Sequence, residues 1–265
     1  MPANDSANPG KNVCFDITGH VVIVTGAGQG IGRAFAKALA KAGAFPVIAE
    51  MNSARAEAVA SEIREAGHDA LAIVADVSDA ASVDAMVADV ISRKGRLDML
   101  INNAAIFSTL AMRPFEEIDL QEWDAVMRVN VTGSFLCARA VSKIMKEAGR
   151  GRIVNISSSA VSMGRPNYLH YVTSKAAVIG MTRAMARELG AYGITVNAIM
   201  PSATFTEVAR ATVTPEQRAA IAASQCIHRS QTPQDLVGMA LFLASDASAF
   251  VTGQSLAVDG GATHR

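Results

Sequence analysis

Neither sign of charge is in excess in this chain. Its 24 Lys and Arg stand against 24 Asp and Glu, which leaves no net field to hold a phosphate backbone and disfavours nucleic-acid binding. Cysteine is scarce: Cys14, Cys137 and Cys226 are far apart and lack metal or redox spacing, so a disulfide scaffold is excluded and three thiols in a reducing compartment are expected. The five histidines, His20, His68, His170, His228 and His264, are scattered without a ligand pattern, so no metal is expected. No apolar run approaches the ~18 residues of a membrane helix, and the first dozen residues lack the apolar stretch of a secretory signal. These absences point to a soluble, cytoplasmic protein with no membrane or nucleic-acid partner.

What the chain does have is apolar residues in short, regularly spaced runs. Half of its 265 residues are apolar and 18% are charged, a balance that supports a sizeable core and not disorder. Runs at 21–24, 46–49, 70–74, 97–101, 152–156 and 194–199 are separated by longer segments, amphipathic at 31–42 and 54–66. Strands with continuous apolar character are buried on both faces, and helical crossovers between them imply a parallel sheet. The expected architecture is one doubly wound, Rossmann-like α/β domain spanning 15–265, after a loose polar arm at 1–14. A mixed, proline-marked segment at about 202–230 reads as a lid over the sheet's carboxyl edge, where such folds bind ligands.

Directly after the first strand comes Thr25-Gly26-Ala27-Gly28-Gln29-Gly30-Ile31-Gly32, opening into a helix. Glycines there allow a tight turn and let backbone amides approach a pyrophosphate at the positive end of the helix dipole. About 20 residues on, the next strand ends at Glu50, whose carboxylate can accept hydrogen bonds from both adenosine ribose hydroxyls and would repel a 2′-phosphate. No Arg or Lys takes the Gln29 position, so NAD is expected over NADP, with Arg33 and Arg55 the residues most able to reverse that preference. Further along, Tyr171 and Lys175 lie four apart on a predicted helix, one face, where the ammonium favours the phenolate and makes a proton-transfer pair. Such a pair alone is usually a half-buried ring beside a solvated amine; the nucleotide signature upstream is what gives it weight.

With these motifs in order, the chain from about residue 15 to residue 261 resembles the short-chain dehydrogenase/reductase family, in its compact single-domain branch. Thr25, Gly26, Gly30 and Gly32 match the family's glycine pattern, Asp76-Val77 its adenine-contacting pair, and Asn102-Asn103-Ala104-Ala105 its Asn-Asn-Ala-Gly with Ala105 for the final Gly. Asn130 matches the family's asparagine at a helix kink, and Ser158, between Ser157 and Ser159, has the catalytic serine's spacing of thirteen before Tyr171. The resemblance implies that Tyr171 exchanges the substrate proton, Ser158 holds the substrate oxygen, Lys175 lowers the Tyr171 pKa and binds the nicotinamide ribose, and Asn130 holds a proton-relay water. It also implies cofactor contacts from Gln29, Ile31 and Asn103, and from Thr206 or its near rival Thr204. After the sixth strand, Pro201-Ser202 replaces the family's usual Pro-Gly, which is expected to restrict that turn. Family members of this length are commonly homotetramers.

Segments expected to line the substrate pocket are 106–110, 160–163, Asn167-Tyr168 and 203–227, with Ser158, Ala160, Tyr168 and Phe205 as candidate wall residues. They are mainly apolar with a few hydroxyls, which fits a moderately hydrophobic aryl or cyclic secondary alcohol or its ketone. Arg113 and Arg165 are the candidates for an anionic substrate, although such residues are more often solvated surface groups. The alternatives are a sugar or polyol dehydrogenase, a 3-oxoacyl thioester reductase, and a catalytically silent NAD-sensing protein on the same fold.

Overall fold

A computed structural model describes residues 15–208 and 214–264; the expected arm at 1–14, with Cys14, and part of the expected lid lie outside them. Seven parallel strands form one sheet: β1 (Val21–Thr25), β2 (Phe45–Glu50), β3 (Leu71–Val74), β4 (Met99–Asn102), β5 (Gly151–Ile156), β6 (Ile194–Pro201) and β7 (Ser255–Val258). Nine α-helices accompany them among the described residues: α1 (Gly30–Lys41), α2 (Ser53–Glu65), α3 (Ala80–Lys94), α4 (Leu120–Met127), α5 (Ser134–Ala148), α6 (Ala160–Met163), α7 (Leu169–Leu189), α8 (Pro215–Ala223) and α9 (Gln234–Ala244). The strand order β3-β2-β1-β4-β5-β6-β7 reverses direction between β1 and β4, and the carboxyl ends of those two strands open the crevice in which a doubly wound sheet binds its ligand.

Strand alternation explains both helix layers. Val22, Val24 and Ile48 point into one core with Phe35, Leu39, Val59, Ile63 and Leu243, while Val21, Ile23 and Val47 point into the other with Val83, Val90, Val141 and Leu189. Helix α7 turns a stripe of Tyr171, Ser174, Lys175, Val178, Thr182, Ala186 and Leu189 inward at three- and four-residue spacing. A charged Lys175 thus occupies a position where the stripe calls for an apolar residue. Helices α4 and α5 run together through one π-helical stretch, Arg128–Gly133, which displaces Asn130 from the regular ladder and buries it.

At the sheet's amino edge, Asp98 is nearly buried and accepts hydrogen bonds from the Val21 amide at 2.9 Å and from Arg96 at 2.7 and 2.8 Å, with Arg150 at 3.2 Å. Burial alone would raise its carboxyl pKa, but the Arg96 and Val21 hydrogen bonds hold it below the ordinary carboxylate range. Among the described residues, no helix is long and apolar enough to cross a membrane, and no group of three His, Cys, Asp or Glu is arranged to hold a metal.

Candidate active site

A cavity of about 460 Å³ lies over the carboxyl edge. At one end is the glycine turn. Gly26 has φ of 62°, and a Cβ there would come within 2.8 Å of the Ala104 backbone. Gly32 lies off the cavity: a Cβ on it would stand 2.5 Å from the Gly26 carbonyl, so this glycine serves the close packing of α1 on the turn. The Asn103 side chain donates to the carbonyls of Thr25 and Gly26 at 2.9 and 3.1 Å, tying the end of β4 to the turn while it lines the cavity.

Gln29, Gly30 and Ile31 form the cavity wall where α1 begins, with Glu50, Asp76 and Val77 beyond them. One Glu50 oxygen accepts from the Gly28 amide at 3.2 Å, the other from Asn52 at 3.2 Å, so the carboxylate is clamped at the strand end beside the turn. Ser78 donates twice to Asp76, both at 2.8 Å, and fixes its orientation. Arg33 grips Glu62 through two nitrogens, at 3.1 and 2.6 Å from one oxygen, and its third nitrogen lies 3.8 Å from Glu207. A carboxylate already stands at the amino terminus of α1: Glu207 Oε1 accepts from the Gly30 amide at 2.9 Å. That contact identifies the Gly30 amide as an anion acceptor, and together with the glycine turn and Glu50 the residues fit a dinucleotide.

At the other end, three consecutive serines separate by direction. Ser157 donates to the Lys175 carbonyl at 2.8 Å, and Ser159 donates to Asp259 at 3.0 Å, so both hydroxyls serve the core. The Ser158 hydroxyl accepts only a local bond from the Ala160 amide at 3.1 Å, and Ser158 lines the cavity with Tyr171 and Lys175. The Tyr171 ring packs 4.6 Å from Phe107 and 6.3 Å from Tyr168, centroid to centroid. Lys175 Nζ lies 5.8 Å from the Tyr171 ring centroid and donates to the Ile156 carbonyl at 2.8 Å; burial lowers its pKa to about 8.

Other expected residues are placed differently. Asn130 does not reach the cavity wall: its amide bonds the Ile106 backbone in both directions and donates to Ser174 at 3.0 Å, which fixes the β4 exit loop to α7. Phe205, expected in the substrate wall, is also off the cavity. Its amide donates to the Gln231 carbonyl, the extended chain alternates, and the ring turns out beneath Arg218 at 4.2 Å while Thr204 and Thr206 face in. Thr204 is buried and donates to Gln231 at 2.9 Å, whereas the Thr206 hydroxyl lies 3.7 Å from where a Gly30 Cβ would be, nearer the glycine turn. Ser202 fits the turn without a positive φ, Asn167 being the only non-glycine residue with positive φ among the described residues. Ala160 and Tyr168 line the cavity, as do Ile221 and Ser224 of the 202–230 segment. Glu207 had no sequence signal beyond its place after Thr206; its contact joins residues 177 apart.

The family model described as enoyl-(acyl carrier protein) reductase matches residues 26–263. The chain belongs to the short-chain dehydrogenase/reductase family. It is 41% identical to a 3-oxoacyl-[acyl-carrier-protein] reductase of Synechocystis, covering 92% of this chain and 97% of that protein. The 3-ketoacyl-(acyl-carrier-protein) reductase of Brucella melitensis, solved with NADH, superposes with a TM-score of 0.85 at 37% identity over 93% of this dehydrogenase/reductase and 99% of its own chain. A gluconate 5-dehydrogenase of Burkholderia cenocepacia, solved with NADP and tartrate, gives 0.88 at 36% over 94% and 96%. This family member is therefore an oxidoreductase with a nicotinamide cofactor.

Proposed function

We propose that the protein is an NAD-dependent dehydrogenase of moderately hydrophobic secondary alcohols. The observation that carries this reading is one cavity with Ser158, Tyr171 and Lys175 at one end and the glycine turn with Glu50 at the other. Ser158 hydrogen-bonds the substrate oxygen and holds it beside Tyr171. The Tyr171 phenolate accepts the hydroxyl proton during oxidation, or the phenol returns it during reduction. Lys175, positive below about pH 8, stabilises that phenolate from within the apolar stripe. Asn130 acts by holding the 106 loop against α7 and so positions the Phe107 side of the wall. A nicotinamide dinucleotide, when bound, supplies the hydride acceptor; Gly30, Glu50, Asp76, Val77, Asn103 and Thr206 would hold it.

The clamped Glu50 and the engaged Arg33 favour NAD over NADP, because a carboxylate at that strand end repels a 2′-phosphate and Arg33 is held by Glu62. Association into a homotetramer through the helices at 125–145 and 171–189 and the last strand belongs to this proposal, supported by the half-exposed Phe135 on α5. The named relatives favour a second reading, reduction of a 3-oxoacyl thioester. The test is reduced-nicotinamide absorbance with NAD and NADP in parallel over aryl, cyclic and polyol secondary alcohols, with acetoacetyl-CoA in the reverse direction. NAD-linked alcohol turnover that falls ~10³-fold in Tyr171→Phe supports the proposal. Turnover of the thioester alone, or strict NADP use, sinks it.

A further inference from the structure

Charge is unevenly distributed along the cavity. Its two carboxylates, Glu50 and Asp76, stand at the glycine-turn end, whereas its two cations, Lys175 and Arg165, stand beside Tyr171 and Tyr168. Lys175 is committed to the Ile156 carbonyl. Arg165 is not committed in that way. It is half-buried, its guanidinium carbon lies 5.2 Å from the Tyr168 ring centroid, and no carboxylate pairs with it among the described residues. Arg113, the other cation weighed for an anionic substrate, is off the cavity and 3.7 Å from Glu122.

The backbone holds Arg165 where it is. Helix α6 ends on left-handed Gly164, the Arg165 amide donates back to the Ala160 carbonyl at 3.2 Å, and the Gly164 amide donates to Val161 at 3.3 Å. That paired closure fixes both residues after the helix. Two residues on, Asn167 adopts φ of 63° and its carbonyl accepts from the Arg113 amide, which closes the loop from the other side. A planar, always-charged group on an aromatic face, in a wall that is otherwise apolar or hydroxylic apart from Lys175, has the geometry and charge to pair with a carboxylate.

We propose that Arg165 recognises an anionic group on the substrate, so that the alcohol oxidised here is a hydroxycarboxylate. The proposal rests on the secondary-alcohol reading above and names the substrate class within it. The carboxylate is a handle: no bond to it forms or breaks, and hydride and proton leave the carbinol carbon and hydroxyl as in the parent reaction.

The test compares 4-(1-hydroxyethyl)benzoate with its methyl ester in wild type, Arg165→Met and Arg165→Lys. Wild type should favour the carboxylate by ~10- to 100-fold in kcat/KM, chiefly through KM; the ratio should approach one in Arg165→Met and lie between in Arg165→Lys. No preference in wild type, or a preference that survives in Arg165→Met, overturns the proposal. Calorimetric titration of the unreactive 4-isopropylbenzoate, with its methyl ester as control, decides the case without turnover. Binding by wild type that is lost in Arg165→Met supports the anion site even if no alcohol reacts; equal binding by both, or none by wild type, removes it.

Discussion

Asp98 and Lys175 are charges buried at opposite edges of the sheet, and they are treated in opposite ways. At the amino edge, Asp98 meets Arg96, Arg150 and the Val21 amide, so its charge is compensated on several sides. At the carboxyl edge, Lys175 donates to one carbonyl and has no carboxylate partner among the described residues, and burial loosens its proton. A compensated buried charge holds a fold together, whereas an uncompensated one persists where the chemistry needs it.

Lys175→Met breaks the comparison most sharply. We expect kcat/KM to fall by ~10²- to 10⁴-fold while the thermal midpoint moves by only a few degrees, because an apolar residue suits the α7 stripe and offsets the Ile156 carbonyl left behind. The pH dependence gives a second signature. The folded lysine sheds its proton near pH 8 and the unfolded one near ~10.4, so between these values the unfolded state binds more protons and stability rises with pH. Thermal melts from pH 7 to 10 should show that rise in wild type and lose it in the variant.

Asp98→Asn should do the reverse, costing ~2 kcal/mol of stability while turnover per folded molecule is kept, since the residue is far from the cavity. Its arginine partners are partly exposed, which keeps the figure below that of a fully buried pair. Because the folded carboxyl pKa is lowered, its contribution is present above the ordinary value of ~3.9 and is lost as pH falls through the folded value. The gap between wild-type and variant midpoints should therefore be constant near neutrality and close under acid; a gap that persists there would assign Asp98 a purely steric role.

How far each edge could be read from the sequence follows from the range of its contacts. The parallel sheet was legible in the apolar runs, and the glycine turn and Glu50 in local spacing, because β1, the turn and β2 are consecutive. Tyr171 and Lys175 were legible as one helix face. Longer-range placement was not. Phe205 looked like a wall residue, and its outward turn is set by Gln231, 26 positions away. Arg113 and Arg165 looked alike as isolated cations; Glu122 occupies one and leaves the other facing the cavity. Asn130 was legible as a kink, yet its side-chain partners come from the β4 exit and α7. The Asp98 cluster had no motif, because it assembles from the ends of three strands.

Glu50→Ser sharpens the comparison within the carboxyl edge by removing the carboxylate held on the Gly28 amide of the glycine turn. The ratio of kcat/KM for NAD to that for NADP should fall by ~10-fold, about 1.4 kcal/mol, while the preference for one alcohol over another stays as it was. With Arg33 held by Glu62, the change should abolish discrimination without installing tight NADP binding; a full reversal would mean that Arg55, against whose Cβ Gly28 packs, swings in.

The smallest effect belongs to Glu207. Its carboxylate occupies the Gly30 amide at the positive end of α1, with Arg33 3.8 Å from the same oxygen, so a pyrophosphate bound at that amide would have to displace it. Glu207→Gln keeps the shape and removes the competing charge. A helix-terminus interaction of ~0.3–1 kcal/mol corresponds to a two- to fivefold tighter dissociation constant for NADH, read by fluorescence titration, and the advantage should shrink as salt screens it. Weaker binding in the variant would reverse the argument: the carboxylate would then be holding the 203–208 loop in the arrangement that receives the dinucleotide, and this end of the cavity would share with Asp98 the use of an acid as a brace.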